Sequence, residues 1–513
     1  MRWRGSEAGA AGQNCGQDLR RSAKQKFSPP GTRPRNDAAW RNVSVKDDDA
    51  NETQNGAFVR ALQRVVVIEP RELRSIAWSL LYFFSLLASA FVLRPLRDSM
   101  GLNGGPDKYP MLFTGTLVAM IAVSPLFALL VTKLPRRRFI PIVYRVSMGC
   151  LFAFWLWLKF SPGSLKLTAA YTFFVWFSVF NLFVVSVFRG FMADIWRLDQ
   201  AKRLFGFIGV GGTLGALAGS MIATLLAKPI GSTNLIFISI ILLEIAVFSV
   251  RRLVAIHRID AIQPNQASVP PGALKASDLW RGLKLIVSQS YLRWIATYTF
   301  LYGLIGTFLY YQQGKLVDLT IHDRDLRTQY FGKIEFSVQL GTVLIQLLLT
   351  ARLIRWFGIT FALISQPAIA VLGWIALSLA MLYGPWLGKH GFTVGQLAPE
   401  LAVLAGVQIL LRISNFATAQ PAREALYTVV EREVKYKSKS FVDTFVYRLG
   451  DCLGAWAFMG IQALVASLTA IAFLTIPIAG VWVFVGRTLG LKQRQLTDGA
   501  QAQTGPVTAG AIN

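Results

Sequence analysis

The chain has 513 residues, 53% of them hydrophobic and only 16% charged, with 53 Lys and Arg against 27 Asp and Glu and a formal net charge of +26. Its mean hydropathy of +0.45 is too high for a set of water-soluble domains, and excludes that class. Three scattered cysteines (Cys15, Cys150, Cys452) without a CxxC, and three isolated histidines (His257, His322, His390), exclude a disulfide framework and a zinc site.

In chain order, residues 1–57 are polar, rich in Gly, Ser, Asp, Asn, Arg and Pro, and aperiodic. They read as a disordered tail with no apolar core for a cleaved signal peptide. Residues 58–73 interleave Arg and Glu with apolar residues, as in an amphipathic segment lying on a membrane surface. Twelve apolar stretches follow, at about 74–94, 110–132, 140–160, 167–188, 204–227, 234–250, 294–311, 330–351, 358–383, 397–418, 440–464 and 469–489. Each approaches the roughly 20 residues that cross a bilayer as a helix. The fold expected is therefore all-α and polytopic, with twelve transmembrane helices.

The long basic connection 251–293 carries Pro264, Pro270, Pro271 and Gly272, then a surface-helix pattern from Ser277. It divides the chain into six-helix bundles at 74–250 and 294–489, followed by a polar tail, 490–513. Weak internal repetition supports the division. Basic turns follow spans two (Lys133 to Arg138) and eight (Arg352 to Arg355), and Leu81-Tyr82 with Asp98 is echoed by Leu301-Tyr302 with Asp318. Lys and Arg concentrate in the loops on the side of the N-terminus, which places both termini in the cytoplasm. The positive charge is thus a matter of topology, and nucleic acid is not expected as a partner; the lipid bilayer is.

Charged residues inside apolar spans are costly and usually face a cavity or a partner. Arg94 and Asp98, four apart at the end of span one, are spaced to pair, leaving Arg97 to form a cationic mouth for an anionic substrate. Ordinary interfacial snorkelling is the alternative. Arg412, beside Asn415 in span ten, is the best single candidate for binding an anion, unless it pairs with Asp443 or Asp451. In span eleven Asp443 and Asp451 lie about two turns apart, with Arg448 three residues before Asp451. They form either a structural pair or a switch for gating, proton coupling or substrate contact. Glu244 in span six joins the coupling candidates, or belongs to the inner interface with Arg251. Arg145 can snorkel, and Lys333 and Glu335 point to different sides of span eight. Gly211, Gly215 and Gly219, spaced by four, read as a helix-contact stripe. No metal, cofactor, nucleophile–base set or Walker loop is present in the sequence, so an enzyme or ATP-driven pump is not expected.

The two six-helix halves and their short basic turns resemble the major facilitator superfamily. Within it, Leu93-Arg-Pro-Leu-Arg97-Asp98, Val184 to Ala193, Asp199-Gln-Ala-Lys202-Arg203, Lys437-Ser-Lys439-Ser-Phe-Val-Asp443 and Leu449-Gly450-Asp451 resemble the bacterial and plastid ATP/ADP translocase family. The resemblance implies alternating access and nucleotide exchange. At three positions the pattern departs from it: Arg97 stands where a lysine is expected, the stretch from Trp176 to Asn181 lacks an expected acid, and Asp451 replaces an expected lysine. Since clustered cations hold polyphosphates, the expectation is a secondary transporter of a small anionic solute in the cytoplasmic (inner) membrane, proton-coupled or exchange-driven. The alternatives are an ATP/ADP-type exchanger and a non-transporting scaffold or sensor.

Overall fold

The structure, a computed structural model, describes residues 72–133, 136–196, 198–257, 276–348, 350–389, 398–465 and 467–503. The expected tail 1–57, nearly all of the segment 58–73, and the middle of the central connection lie outside the described residues. Among the described residues there is helix and no strand. In order the helices are α1 (Leu73–Gly101), α2 (Tyr109–Lys133), α3 (Arg136–Phe160), α4 (Gly163–Ile195), α5 (Leu198–Ile230) and α6 (Leu235–His257). Then come α7 (Ala276–Ser288), α8 (Ser290–Thr320), α9 (Arg324–Leu348), α10 (Thr350–Lys389) and α11 (Pro399–Ser414). Last are α12 (Gln420–Leu426), α13 (Arg432–Phe441), α14 (Tyr447–Val465) and α15 (Leu468–Gln503). A π-helical turn, Asn415–Ala419, joins α11 to α12, and a second, Val442–Val446, joins α13 to α14.

Nine stretches among the described residues are long and apolar enough to cross a membrane. The long helices that fall short of that apolarity are α8, α9 and the rod from α13 to α14. The reason is chemical. These are helices that carry Gln312, Gln313, Glu335, Arg448 and Asp451 inward, and every such residue lowers the mean hydropathy of its span. At the C-terminal end, α15 runs through Gln503, so the tail expected from 490 begins inside a helix. Its Lys, Gln, Arg, Leu and Ala are good helix formers, which carries the helix on past the apolar stretch. The surface helix expected from Ser277 is α7, seated on α8 and α13.

Helix contacts repeat along the chain. In the first part α1 touches α4, α5 and α6, α3 touches α4 and α6, and α2 touches α4. In the second, α8 touches α11, α14 and α15, α10 touches α11 and α15, and α9 touches α11. Pair for pair, the second set reproduces the first. Between the sets, α2 meets α14, α5 meets α9, and α1 meets α9.

The α1–α5 contact shows how sequence sets distance. Gly211, Gly215 and Gly219 lie against Leu80, Phe84 and Ala88, and a Cβ at any of the three would collide with a backbone carbonyl oxygen of α1. The two backbones touch, which in lipid supplies the close contact that a larger side chain would prevent. Gly303 and Gly450 do the same between α8 and α14, facing the backbones of Tyr447 and Phe300 respectively.

Replacing Gly215 by Leu should therefore push α5 off α1. Overpacking of this kind costs about 1–3 kcal/mol, and the expected outcome is a lower unfolding temperature of the detergent-solubilised protein, with Gly209→Leu, which has open space beside it, close to unchanged.

Candidate functional site: a charged cavity between the helices

A cavity of about 370 Å³ opens among α1, α4, α8, α9, α11 and α14. That is within the usual range for a small-molecule site, about 300–1,000 Å³. Charged residues on its wall are Arg94, Arg97, Arg412 and Arg448 on one side of the balance and Asp98, Glu335 and Asp451 on the other. One positive charge is left in excess.

Glu335 of α9 is the hub. It is only 2% exposed, and its two carboxylate oxygens accept from Arg412 of α11, Nη1 to Oε1 at 2.5 Å and Nη2 to Oε2 at 2.8 Å. Its Oε1 is also 3.1 Å from the Nε of Arg94 on α1. One buried carboxylate thus faces two guanidiniums, from helices far apart in the sequence. The bidentate fork on Arg412 fixes orientation as well as charge.

The second pair is local. Arg97 donates from Nη1 to Asp98 Oδ1 at 2.6 Å, and Tyr310 of α8 donates to the same oxygen at 2.9 Å. The guanidinium of Arg97 lies over Phe174, its Cζ 3.6 Å from the ring centroid, a cation–π contact that holds it toward α4. The sequence expectation paired Arg94 with Asp98 and sent Arg97 elsewhere; the structure reverses this. Arg94 has a stronger acceptor on another helix, and Pro95 between the two arginines removes a backbone donor and lets α1 bend there.

The third pair is Arg448 and Asp451 on α14, Nη1 to Oδ2 at 3.0 Å. Thr307 of α8 donates to the other oxygen of Asp451 at 3.2 Å, so the pair braces one helix against its neighbour and also lines the cavity. Asn415, at the first π-helical turn, lines the cavity and accepts from Arg423 Nη2 at 2.9 Å. Neutral polar groups complete the wall: Gln408 donates to Gln313 at 2.9 Å.

The structure thus brings together Arg97, Asp98, Arg412, Asn415, Arg448 and Asp451. It leaves out the other two expected residues. Asp443 is exposed, away from the cavity wall, among Arg189, Arg423, Glu424 and Lys439. Asp443 stands eight residues before Asp451, about 12 Å along the helix axis, and that distance rather than a change of face puts it beyond the cavity wall. Glu244 lies outside the cavity and pairs with Arg145 at 3.3 Å. The pairing of Arg412 with either Asp443 or Asp451 is likewise replaced by its fork on Glu335. Glu335 and Arg94 were not singled out as site residues from the sequence. The signal available for Glu335 was an acid deep in an apolar span with no opposite charge one turn away on its own helix, since Lys333 is too close along the helix to share its face.

At one end the cavity is tied shut. Lys315 donates to Asp107 at 2.6 Å, Ser99 to the carbonyl of Arg324 at 3.1 Å, and Trp456 to Thr114 at 2.9 Å. These contacts join the end of α1, the α1–α2 turn and the start of α2 to α8, the start of α9 and α14. Gly314 leaves just enough room for the ring of Tyr109, which a Cβ would strike.

This architecture has solved counterparts. Over 82% of the chain it superposes on a variant of the nucleoside transporter NupG, with a TM-score of 0.55 at 14% identity, covering 99% of that chain. A POT family peptide transporter gives 0.55 at 16% identity, covering 82% of this chain and 97% of that one. A bacterial homologue of ferroportin in an inward-facing state gives 0.56 at 11%, covering 82% and 98%. At such identities they establish the fold, that of membrane transporters. By sequence the chain is 22% identical over 320 residues to ADP,ATP carrier protein 1 of Chlamydia pneumoniae, covering 58% of this chain and 62% of that protein. It is 21% identical over 336 residues to ADP,ATP carrier protein 1 of Chlamydia muridarum (strain MoPn / Nigg), covering 62% and 63%. The match spans less than two thirds of the length of either relative. The family model described as TLC ATP/ADP transporter matches residues 155–493, more than half of the chain. With the transporter fold and the paired charges of the cavity, this makes the chain a multi-pass membrane protein belonging to the TLC ATP/ADP transporter family.

Proposed function

We propose that the protein carries a small anionic solute across the cytoplasmic membrane, by rocking two six-helix bundles, α1–α6 and α8–α15, about the central cavity. Both termini are cytoplasmic in this reading, the twelve spans being the nine apolar stretches with α8, α9 and the α13–α14 rod. The repeated helix contacts support two bundles related in the manner of transporters built from internal repeats. The ties between Asp107 and Lys315 then close the outer side.

The observation that carries the reading is the sharing of Glu335 between Arg94 and Arg412. The two arginines belong to different bundles, so an anion that takes the carboxylate's place joins the bundles and is released when they part. Arg97 and Asn415 supply further contacts. Asp98 and Asp451, each already neutralised by an arginine, are the carboxylates placed to exchange partners or take up a proton as the bundles move.

A second reading is ATP/ADP-type exchange, favoured by the family and by the name the two relatives share. The charge balance of the wall weighs against it. One excess positive charge suits a cargo of low charge better than a di- or triphosphate, and Asp451 adds an anion to the wall.

Uptake into proteoliposomes decides between the two. Labelled ADP entering only vesicles preloaded with unlabelled ADP would establish exchange, whereas uptake of labelled glucose 6-phosphate without nucleotide uptake would establish the small-anion reading. In either case Arg97→Ala and Arg412→Ala are each expected to lower uptake by about tenfold or more, the equivalent of losing one charge-assisted hydrogen bond. Stability should respond differently. Glu335→Ala leaves the half-buried guanidiniums of Arg94 and Arg412 facing each other without their carboxylate and should cost about 3 kcal/mol, the lower end of the loss on breaking a buried pair. Arg412→Ala, which leaves Glu335 with Arg94, should lower the unfolding temperature less.

A further inference from the structure

Outside the cavity, α3 and α6 lie side by side, held at one end by Trp155 donating to Asn234 at 3.0 Å. On their outward face sits the ion pair Arg145–Glu244, its two side chains 49% and 51% exposed. Around it are large exposed apolar residues: Ile142, Val146, Ile241, Ile245 and Phe248. Arg145 stands six residues after Phe139, where the apolar span begins, and Glu244 seven residues before Arg251, each roughly 10 Å along the axis. In a hydrocarbon layer about 30 Å thick, that is a third of the way in, among the acyl chains.

A half-exposed ion pair at this depth faces acyl chains, which offer it no partner. Arginine can snorkel to the headgroups. Glu244, with two methylenes, cannot. The pair is therefore unlike the cavity pairs, which are surrounded by protein, and its exposed half calls for a polar cover.

We propose that this face is covered by a second copy of the chain. A two-fold axis along the membrane normal, passing by the α3–α6 seam, keeps each residue at its own depth and brings α3 of one copy onto α6 of the other. Arg145 then faces Glu244 of the partner subunit and Glu244 faces Arg145 of the partner subunit. The contact is isologous, and the two ion pairs close into a four-membered ring of alternating charge. The same face supplies the van der Waals contact that drives association in lipid. The inference does not depend on what the cavity carries.

The test is cross-linking in native membranes with a short bis-maleimide, using Val146→Cys and, separately, Ile241→Cys after replacing Cys15, Cys150 and Cys452 with serine. Both should give a covalent dimer at about five times or more the yield of Leu372→Cys, which is 67% exposed on α10, on a face the two-fold contact does not use. Equal yields at all three positions, or none, would overturn the proposal. The intact protein in nanodiscs should also have the mass of a dimer, Arg145→Glu that of a monomer, and R145E combined with Glu244→Arg that of a dimer again. A monomeric wild type, with or without bound phospholipid, would identify lipid as the cover and sink the second copy.

Discussion

A buried carboxylate between two guanidiniums organises this molecule. Charge in a low-dielectric interior is tolerated only when paired and hydrogen-bonded, and Glu335 satisfies that condition by reaching two other helices, α1 and α11. Neither arginine has another carboxylate within ion-pair distance among the described residues. The three helices are consequently held in one relative position by a single side chain, and any motion that separates α1 from α11 must find Glu335 a new balance of charge. Everything else on the cavity wall is arranged on the same terms. Asp98 is held by Arg97 and Tyr310, and Asp451 by Arg448 and Thr307.

Two kinds of contact coexist, with different tolerance of movement. Where α1 meets α5 and α8 meets α14, glycines bring backbone onto backbone, and such seams are short-range and geometrically unforgiving. Where the first group of helices meets the second, much of the contact is polar: Arg94 with Glu335, Tyr310 with Asp98, Lys315 with Asp107. Polar contacts of this sort can be exchanged for water or for a ligand at small net cost, because each partner finds another hydrogen bond. Gly332 of α9 also sits against the backbone of Thr224 on α5, so the contact between the groups combines one close seam with these exchangeable polar contacts.

The sequence was informative in proportion to how local each feature is. Apolar runs marked nine long helical stretches among the described residues, since a span must bury its backbone whatever its neighbours do. Gly211, Gly215 and Gly219 were legible as a contact stripe from their spacing alone. Charged and polar positions within spans pointed to six residues that line the cavity, because an Arg or Asp at that depth has few alternatives. Partner choice was not legible. The i,i+4 rule offered Asp98 to Arg94, yet the acceptor came from α9, and no periodicity argument reaches across that distance. Asp443 was misplaced for a subtler reason: a shared helical face does not give a shared depth, and eight residues put it about 12 Å along the axis from Asp451, beyond the cavity wall.

The self-neutralised wall bears on how a carrier of this design diversifies. Because Asp98 and Asp451 each have a base of their own on the same helix, replacing either pair by two neutral groups leaves the balance of the other pairs intact. Those two pairs are thus modular, and the net charge of the cavity is stepped up or down by one when a single partner is replaced. The glycine seams permit no such stepping, since the first added carbon already collides with a carbonyl. Drift in a lineage of such proteins is therefore channelled: selectivity can wander through a handful of side chains while the scaffold that presents them stays fixed by atoms that are not there.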